Sequence, residues 1–233
     1  MNDHLNGGIV SLAFDDGWKC VYENALPLLD QRGISSTQYI ITKYLDDPTD
    51  NYVGIDEVHD MARRGHEIGS HTVSHKHLPK ETDETIQQEV ALSLQTFQRL
   101  NLPVQTFAYP YGEYDERVVT AVKNAGYDAA RSIKRGYNQR HTDRYLLEIQ
   151  PVSLGTHLSK VKLWVSRARA DNSWLIMTFH EINEGGRYLS VPPLMLEQIL
   201  DHLVSERMRT VTIADGVGLI YGGQPAYDVA GEG

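Results

Sequence analysis

The apolar positions of this chain follow two rhythms. Unbroken runs at Ile9 to Phe14 and at Leu175 to Phe179, the second ending on His180, predict buried strands. Ser36 to Thr42, Glu67 to Ser70, Gln105 to Ala108, Tyr127 to Ser132, Tyr145 to Ile149 and Arg209 to Ile213 add further strand candidates, the first rich in β-branched and aromatic residues. The second rhythm is helical. Ile86, Val90, Leu94 and Phe97 form one stripe on a helix that Thr82 caps and that runs to Leu100. Val118, Val119 and Val122 are the buried face of a helix from Asp115 to Ala125, which Gly126 ends. Further helices are expected over Val21 to Arg32, with a kink or a late start at Pro27, and over Asp56 to Arg64, Leu158 to Ala170 and Pro192 to Ser205. Tyr44 to Val53 reads as a polar loop, and Lys134 to Leu158 carries no clean period. Strands alternating with helices imply a parallel sheet, and seven or eight such units suggest a barrel.

Composition sharpens this picture. A chain of 233 residues, 41% hydrophobic and 23% charged, suits one globular α/β domain. Residues 1–220 are expected to form it, with 221–233 a flexible tail or linker. The net charge of −9 argues against nucleic acid as a partner, because binding phosphates needs clustered Lys and Arg. No run approaches the roughly 18 apolar residues of a membrane span. Cys20 is the one cysteine and cannot form an internal disulfide; on a helix beside Val21 and Ala25 it is expected to be a small buried thiol. The first residues lack the basic and apolar regions of a secretory signal. A secreted or periplasmic location is therefore expected if the chain is a mature or excised domain, and a cytoplasmic one if it is complete.

Candidate chemistry gathers at strand ends. Phe14-Asp15-Asp16-Gly17 closes the first strand and His71-Thr72-Val73-Ser74-His75 follows the third, giving two adjacent carboxylates and two imidazoles four residues apart. Zinc and similar ions take such oxygen and nitrogen donors, and catalytic sites use about three protein ligands. Taken singly, Asp-Asp-Gly is also a good turn, and ten histidines will produce such a pair by chance. Two more segments change the odds. They are Phe107-Ala108-Tyr109-Pro110-Tyr111-Gly112 and the strand ending on His180. There is no Gly-x-Ser-x-Gly elbow and no Walker-type phosphate loop.

In order, these four segments resemble the NodB-homology polysaccharide deacetylases, carbohydrate esterase family 4, over about Ile9 to Leu219. The resemblance implies a distorted (β/α) barrel, often seven-stranded. It implies Asp15 as general base, Asp16, His71 and His75 as metal ligands, the Tyr111 backbone N–H as oxyanion donor and His180 as general acid. Two departures stand out. The family's third motif reads Arg-x-Pro-Tyr-Gly, whereas Ala108 occupies the Arg position here, and Arg131 on the next strand is the candidate replacement. An ordinary surface salt bridge is the competing reading of Arg131. The fourth motif, Asp-x-x-Asp-Trp, is absent, leaving Asp128 and Asp143 as the nearest candidates to orient His180.

The expected activity is hydrolysis of an acetyl group, N-linked or alternatively O-linked, on a carbohydrate polymer or oligomer. It would use one divalent ion, zinc first and cobalt, nickel, manganese or iron as alternatives. A small-molecule amidohydrolase and a silent carbohydrate-binding domain are the other readings. Trp18, Tyr109, Tyr111 and Tyr114 are candidates to stack on sugar rings, against the ordinary alternative of packing. His77, His141, His157 and His202 carry no spacing argument.

Overall fold

The computed structural model describes residues 5–46 and 51–222. Seven parallel strands close on themselves: β1 (Ile9–Phe14), β2 (Thr37–Ile40), β3 (Glu67–Ser70), β4 (Thr106–Ala108), β5 (Ala129–Arg135), β6 (Leu147–Pro151) and β7 (Trp174–Phe179). Each pairs with the next, and β7 returns to β1 over six residues, from Ile9↔Trp174 to Phe14↔Phe179. The expected (β/α) barrel is therefore present, with helices outside it. They are α1 (Lys19–Asn24), α2 (Leu26–Gln31), α3 (Ile55–Arg63), α4 (Asp83–Arg99), α5 (Glu116–Ala125), α6 (Leu158–Ala170) and α7 (Pro193–Ser205). Among the described residues no helix is long and apolar enough to cross a membrane.

The strand period of two sorts the side chains. On β1, Val10, Leu12 and Phe14 pack outward with Leu26, Leu29, Val165 and Leu196 of the helices. Ile9 and Ala13 point the other way, into a cluster with Tyr39, Ala108, Ala129, Leu147, Trp174 and Ile176, which is the barrel interior. A third cluster, with Ile86, Val90, Val118 and Val122, seats α4 and α5 on β4 and β5. Continuing the inward parity one step past each strand brings Asp15, His71 and His180 to the carboxyl-terminal rim, where Arg131 also lies.

Most element boundaries fall within a few residues of expectation, with two instructive exceptions. The helix expected over Val21 to Arg32 is two short ones, because Pro27 opens α2 and the chain breaks at Ala25. The strand expected over Arg209 to Ile213 shrinks to Arg209–Thr210, which extends the sheet beside Ile9 and Val10. Ile213 instead begins α8 (Ile213–Tyr221), capped by Thr212, whose hydroxyl accepts from the Asp215 N–H at 3.2 Å. Tyr221 thus ends a helix rather than starting a tail, and the rest of the expected tail, residues 223–233, lies outside the described residues. So do residues 47–50 of the expected polar loop.

Helix α8 closes the amino-terminal end of the barrel. Its first N–H groups donate to buried barrel groups, Ile213 to Thr37 Oγ1 and Ala214 to Glu67 Oε2, each at 2.9 Å. Glu67 is buried and also accepts from Thr37 Oγ1 at 2.8 Å. A carboxylate at a helix N-terminus is favourably placed, and burial raises its pKa. The bottom of the barrel is thus plugged and satisfied, and the opposite rim is left for chemistry.

Candidate metal centre and catalytic rim

Each rim residue is anchored by the sheet before the chain turns away. The Asp15 N–H donates to Phe179 O at 3.0 Å, one step beyond the β1–β7 pairing, and the His71 N–H donates to Ile40 O at 3.0 Å beyond β2–β3. The turns that follow are tight. Asp16 (φ 72°), Thr72 (69°), His75 (57°) and Tyr111 (57°) are four of seven non-glycine residues with left-handed backbone among the described residues. Such conformations cost on the order of 1–3 kcal/mol each and persist only where surrounding structure dictates them. Their concentration singles out this rim as the candidate site.

Asp16, His71 and His75 converge. Asp16 Oδ1 lies 3.5 Å from His71 Nε2 and 3.4 Å from His75 Nε2, and one ligand atom from each residue lies within 4.8 Å of the others. The tautomer of His71 follows from its other nitrogen. Nδ1 is 2.8 Å from Ala108 O, a carbonyl that can only accept, so Nδ1 carries the proton and Nε2 faces the cluster with a lone pair. Asp16 Oδ2 accepts from Trp18 Nε1 at 3.0 Å, but Oδ1 is buried without a hydrogen-bond partner. A bare carboxylate oxygen facing imidazole nitrogens fits a divalent cation.

Electrostatics agree with a ligand set. Burial works to raise the Asp16 pKa, yet the nearby imidazoles of His71, His180 and His75 bring it well below the ordinary carboxylate range. Burial, reinforced by His71, lowers the His75 pKa to about 4, keeping its imidazole neutral. The loop between the histidines is fastened from outside. Buried Glu89 on α4 accepts from the Ser74 N–H at 2.8 Å and from its hydroxyl, and Thr72 Oγ1 accepts from the His75 N–H at 2.9 Å.

Asp15 stands beside this cluster with different partners. Its Oδ1 accepts from the Arg131 guanidinium, and its Oδ2 is 3.6 Å from His180 Nε2. Arg131 is 1% exposed, so it is no solvated surface pair. Register explains its position: Arg131 pairs directly with Ala108, so the arginine reaches the rim from the strand next to the one that lacks it. The Tyr39 ring supports it, 4.8 Å from the guanidinium carbon, and Tyr39 itself needs a glycine beside it. A Cβ on Gly69 would come within 2.5 Å of that ring.

Neither aspartate suggested to orient His180 reaches it. Asp128 precedes β5 at the opposite end of the barrel, near Arg144 and α8, and Asp143 accepts from the Tyr145 N–H at 2.9 Å. The carboxylate beside His180 is Asp15.

These groups line a cavity of about 240 Å³ together with Tyr109, Tyr111, Gly112, Ile133 and Leu189. A larger cleft of about 560 Å³ between α4 and α5 contains none of them, so the chemistry singles out the smaller cavity. Among the aromatic candidates, Tyr109 is buried and donates to Tyr145 O at 3.1 Å, which makes it a packing residue. Trp18 serves Asp16 and is locked by stacking on Tyr52, at 4.7 Å, which stacks on Tyr44 at 4.0 Å. Tyr111 and Tyr114 are exposed at the rim. Cys20 is half-buried, its Sγ 3.7 Å from Asn183 Nδ2. Sequence reasoning missed Glu89, Tyr39 and the Asp16 contact of Trp18, because each acts through a partner distant in the chain or through a turn.

The sequence matches the pattern of the family described as polysaccharide deacetylase over residues 2–130, more than half of the chain. It is 29% identical over 147 residues to the Bacillus subtilis protein YxkH, a polysaccharide deacetylase by name, a match covering 63% of this chain and 52% of that protein. The chain thus spans about half the length of that relative. It is 24% identical over 211 residues to a peptidoglycan-N-acetylglucosamine deacetylase of Bacillus cereus, covering 90% of this chain and 88% of the other. The solved structure of T48 deacetylase with substrate shares the fold, with a TM-score of 0.65 at 20% identity over 97% of this chain and 99% of that one.

Proposed function

From the premise that the chain belongs to the polysaccharide deacetylase family, we propose that it hydrolyses acetyl groups, N-acetyl first, from a carbohydrate polymer or oligomer. One observation carries the reading. Two adjacent aspartates have separate partners in one cavity, Asp16 facing two histidine nitrogens and Asp15 facing Arg131 and His180. Asp16, His71 and His75 would hold a divalent cation, zinc by the character of its donors. When bound, that cation supplies Lewis-acid polarisation of the acetyl carbonyl and acidifies water.

The chain's own groups do the rest. Asp15 takes a proton from the attacking water as its oxygen bonds to the carbonyl carbon. Arg131 fixes the direction of Asp15 through a charge-assisted hydrogen bond. The Tyr111 backbone N–H donates to the developing oxyanion, and Gly112 lets the chain turn there. His180 delivers a proton to the nitrogen as the carbon–nitrogen bond breaks, leaving acetate and a free amine. That acid matters most for amides, since an amine anion is a very poor leaving group.

The test is acetate release from N-acetylglucosamine oligomers, acetylated xylan and simple amides, with chelated and zinc-restored protein side by side. Zinc-dependent release from one glycan class supports the proposal. Release from simple amides alone contradicts the carbohydrate assignment, and release that survives chelation contradicts the role given to the cation.

A further inference from the structure

His77, which carries no spacing argument in the sequence, lies at the edge of the metal centre. Its ring is parallel to that of Tyr111, with centroids 3.8 Å apart and an interplanar angle of 6°. The other neighbour of the Tyr111 ring is His75, at 4.5 Å and 59°. Tyr111 therefore sits between two imidazoles, one from the proposed ligand set and one outside it. His77 is itself held, with its Nδ1 2.8 Å from Glu113 Oε2. Glu113 follows Tyr111 by two residues, so the contacts form a closed circuit joining the loop that bears the histidines to the loop that bears Tyr111.

The circuit has work to do. Tyr111 has φ 57°, a conformation that a side-chain-bearing residue keeps only when its surroundings impose it. Backbone bonds from Gly112 to Tyr109 O, at 2.8 Å, and from Glu113 to Pro110 O, at 3.1 Å, shape the turn. The rings fix where its side chain lies. The reading of His77 as another metal ligand fails on the same geometry, because Nδ1 is committed to Glu113 and the ring stacks on Tyr111 rather than joining Asp16, His71 and His75.

We propose that His77, clamped by Glu113, is a positioning residue that holds Tyr111 in its left-handed conformation against His75. The proposal rests on the deacetylase reading for its effect on turnover, but not for its effect on metal retention. His77 fixes the ring of Tyr111, Tyr111 covers one side of His75, and the backbone N–H of Tyr111 keeps its place at the cavity.

The experiment compares wild type, His77→Ala and His77→Phe by two readouts: the zinc dissociation constant from chelator competition, and kcat and KM for acetate release. His77→Ala is expected to weaken zinc binding roughly tenfold, the scale on which outer partners of metal ligands act. It should also lower kcat by roughly tenfold while KM moves less than about twofold, the pattern of a contact that matters in the transition state. His77→Phe, which keeps a flat ring against Tyr111 but loses the bond to Glu113, should restore part of both. Wild-type zinc affinity in His77→Ala overturns the proposal, as does a His77→Phe protein as impaired as His77→Ala. If no glycan is deacetylated, the substrate reading fails while the zinc comparison still decides this one. If His77→Ala does not fold, Glu113→Ala, at a half-exposed position, releases the same ring, and wild-type zinc affinity there is the overturning result.

Discussion

Arg131 and Asp15 are 116 residues apart in the chain and in direct contact at the barrel rim, the guanidinium on β5 against the carboxylate that follows β1. Both are almost fully buried, at 1% and 4% exposure, so neither is freely solvated if the other is removed. Removing one partner of a buried pair typically costs about 3–5 kcal/mol. Arg131→Met is expected to lose stability on that scale and nearly all activity. Arg131→Lys keeps the charge but not the planar fork and should fall between. Urea unfolding with acetate release measures both, and a fully stable, active Arg131→Met protein contradicts the role given to the pair.

His180→Ala should discriminate between substrates. A loss on the order of 10²–10⁴-fold is expected for N-acetyl substrates, the range of a general acid, and a much smaller loss for activated aryl acetates, whose leaving groups need no proton. Equal losses on amide and aryl ester would remove His180 from the acid role.

Gly112 has a steric reason to be glycine. Its φ is +67°, and a Cβ there would lie 2.2 Å from Ile133 Cγ1 on β5. Gly112→Ala is expected to cost on the order of 1–3 kcal/mol and to reduce kcat, because the turn that presents Tyr111 must shift. Thermal unfolding and kinetics read both effects; an unchanged protein would mean that this turn relaxes freely.

Away from the rim, His66 gives a pH dependence of stability. It is buried, its Nδ1 accepts from the Ser36 N–H at 3.2 Å, and its Nε2 is 3.0 Å from Asp30 Oδ1. A proton on Nδ1 would confront that N–H. Burial lowers its pKa, outweighing the opposing pull of Asp30. The unfolded chain, with an ordinary histidine pKa of about 6.5, therefore binds a proton at mildly acidic pH that the folded chain does not. The stabilisation is complete above about pH 6.5 and is lost as pH falls towards the lowered folded value. Urea unfolding at pH 7, 6 and 5 should show this decline, reduced in His66→Gln. An identical decline in both proteins would assign it to other groups.

The comparison of chain and structure separates what is local from what is not. Ile9–Phe14 and Leu175–Phe179 are legible because strands buried in a barrel are continuous apolar runs, and Asp15, Asp16, His71, His75 and His180 because they belong to short motifs that follow strands. The contact of Arg131 with Asp15 depends on the pairing of β4 with β5, which no local pattern contains. Helix α8 was hidden by its glycines, and Gly216 is explained only by a neighbour far away in sequence. A Cβ there would come within 2.5 Å of the Trp174 ring. The signal of His77 is a ring stacked on Tyr111, 34 positions later, which no local pattern contains.

The proposed division of labour between the adjacent aspartates is tested most directly by measuring bound zinc per chain alongside acetate release in Asp15→Asn and Asp16→Asn. Asp15→Asn is expected to retain about one zinc ion with activity lowered by a factor on the order of 10²–10⁴ or more, since it removes the base and leaves the ligands in place. Asp16→Asn should lose both zinc and activity. An Asp15→Asn protein that cannot hold zinc, or an Asp16→Asn protein that holds it as wild type does, would contradict the assignment.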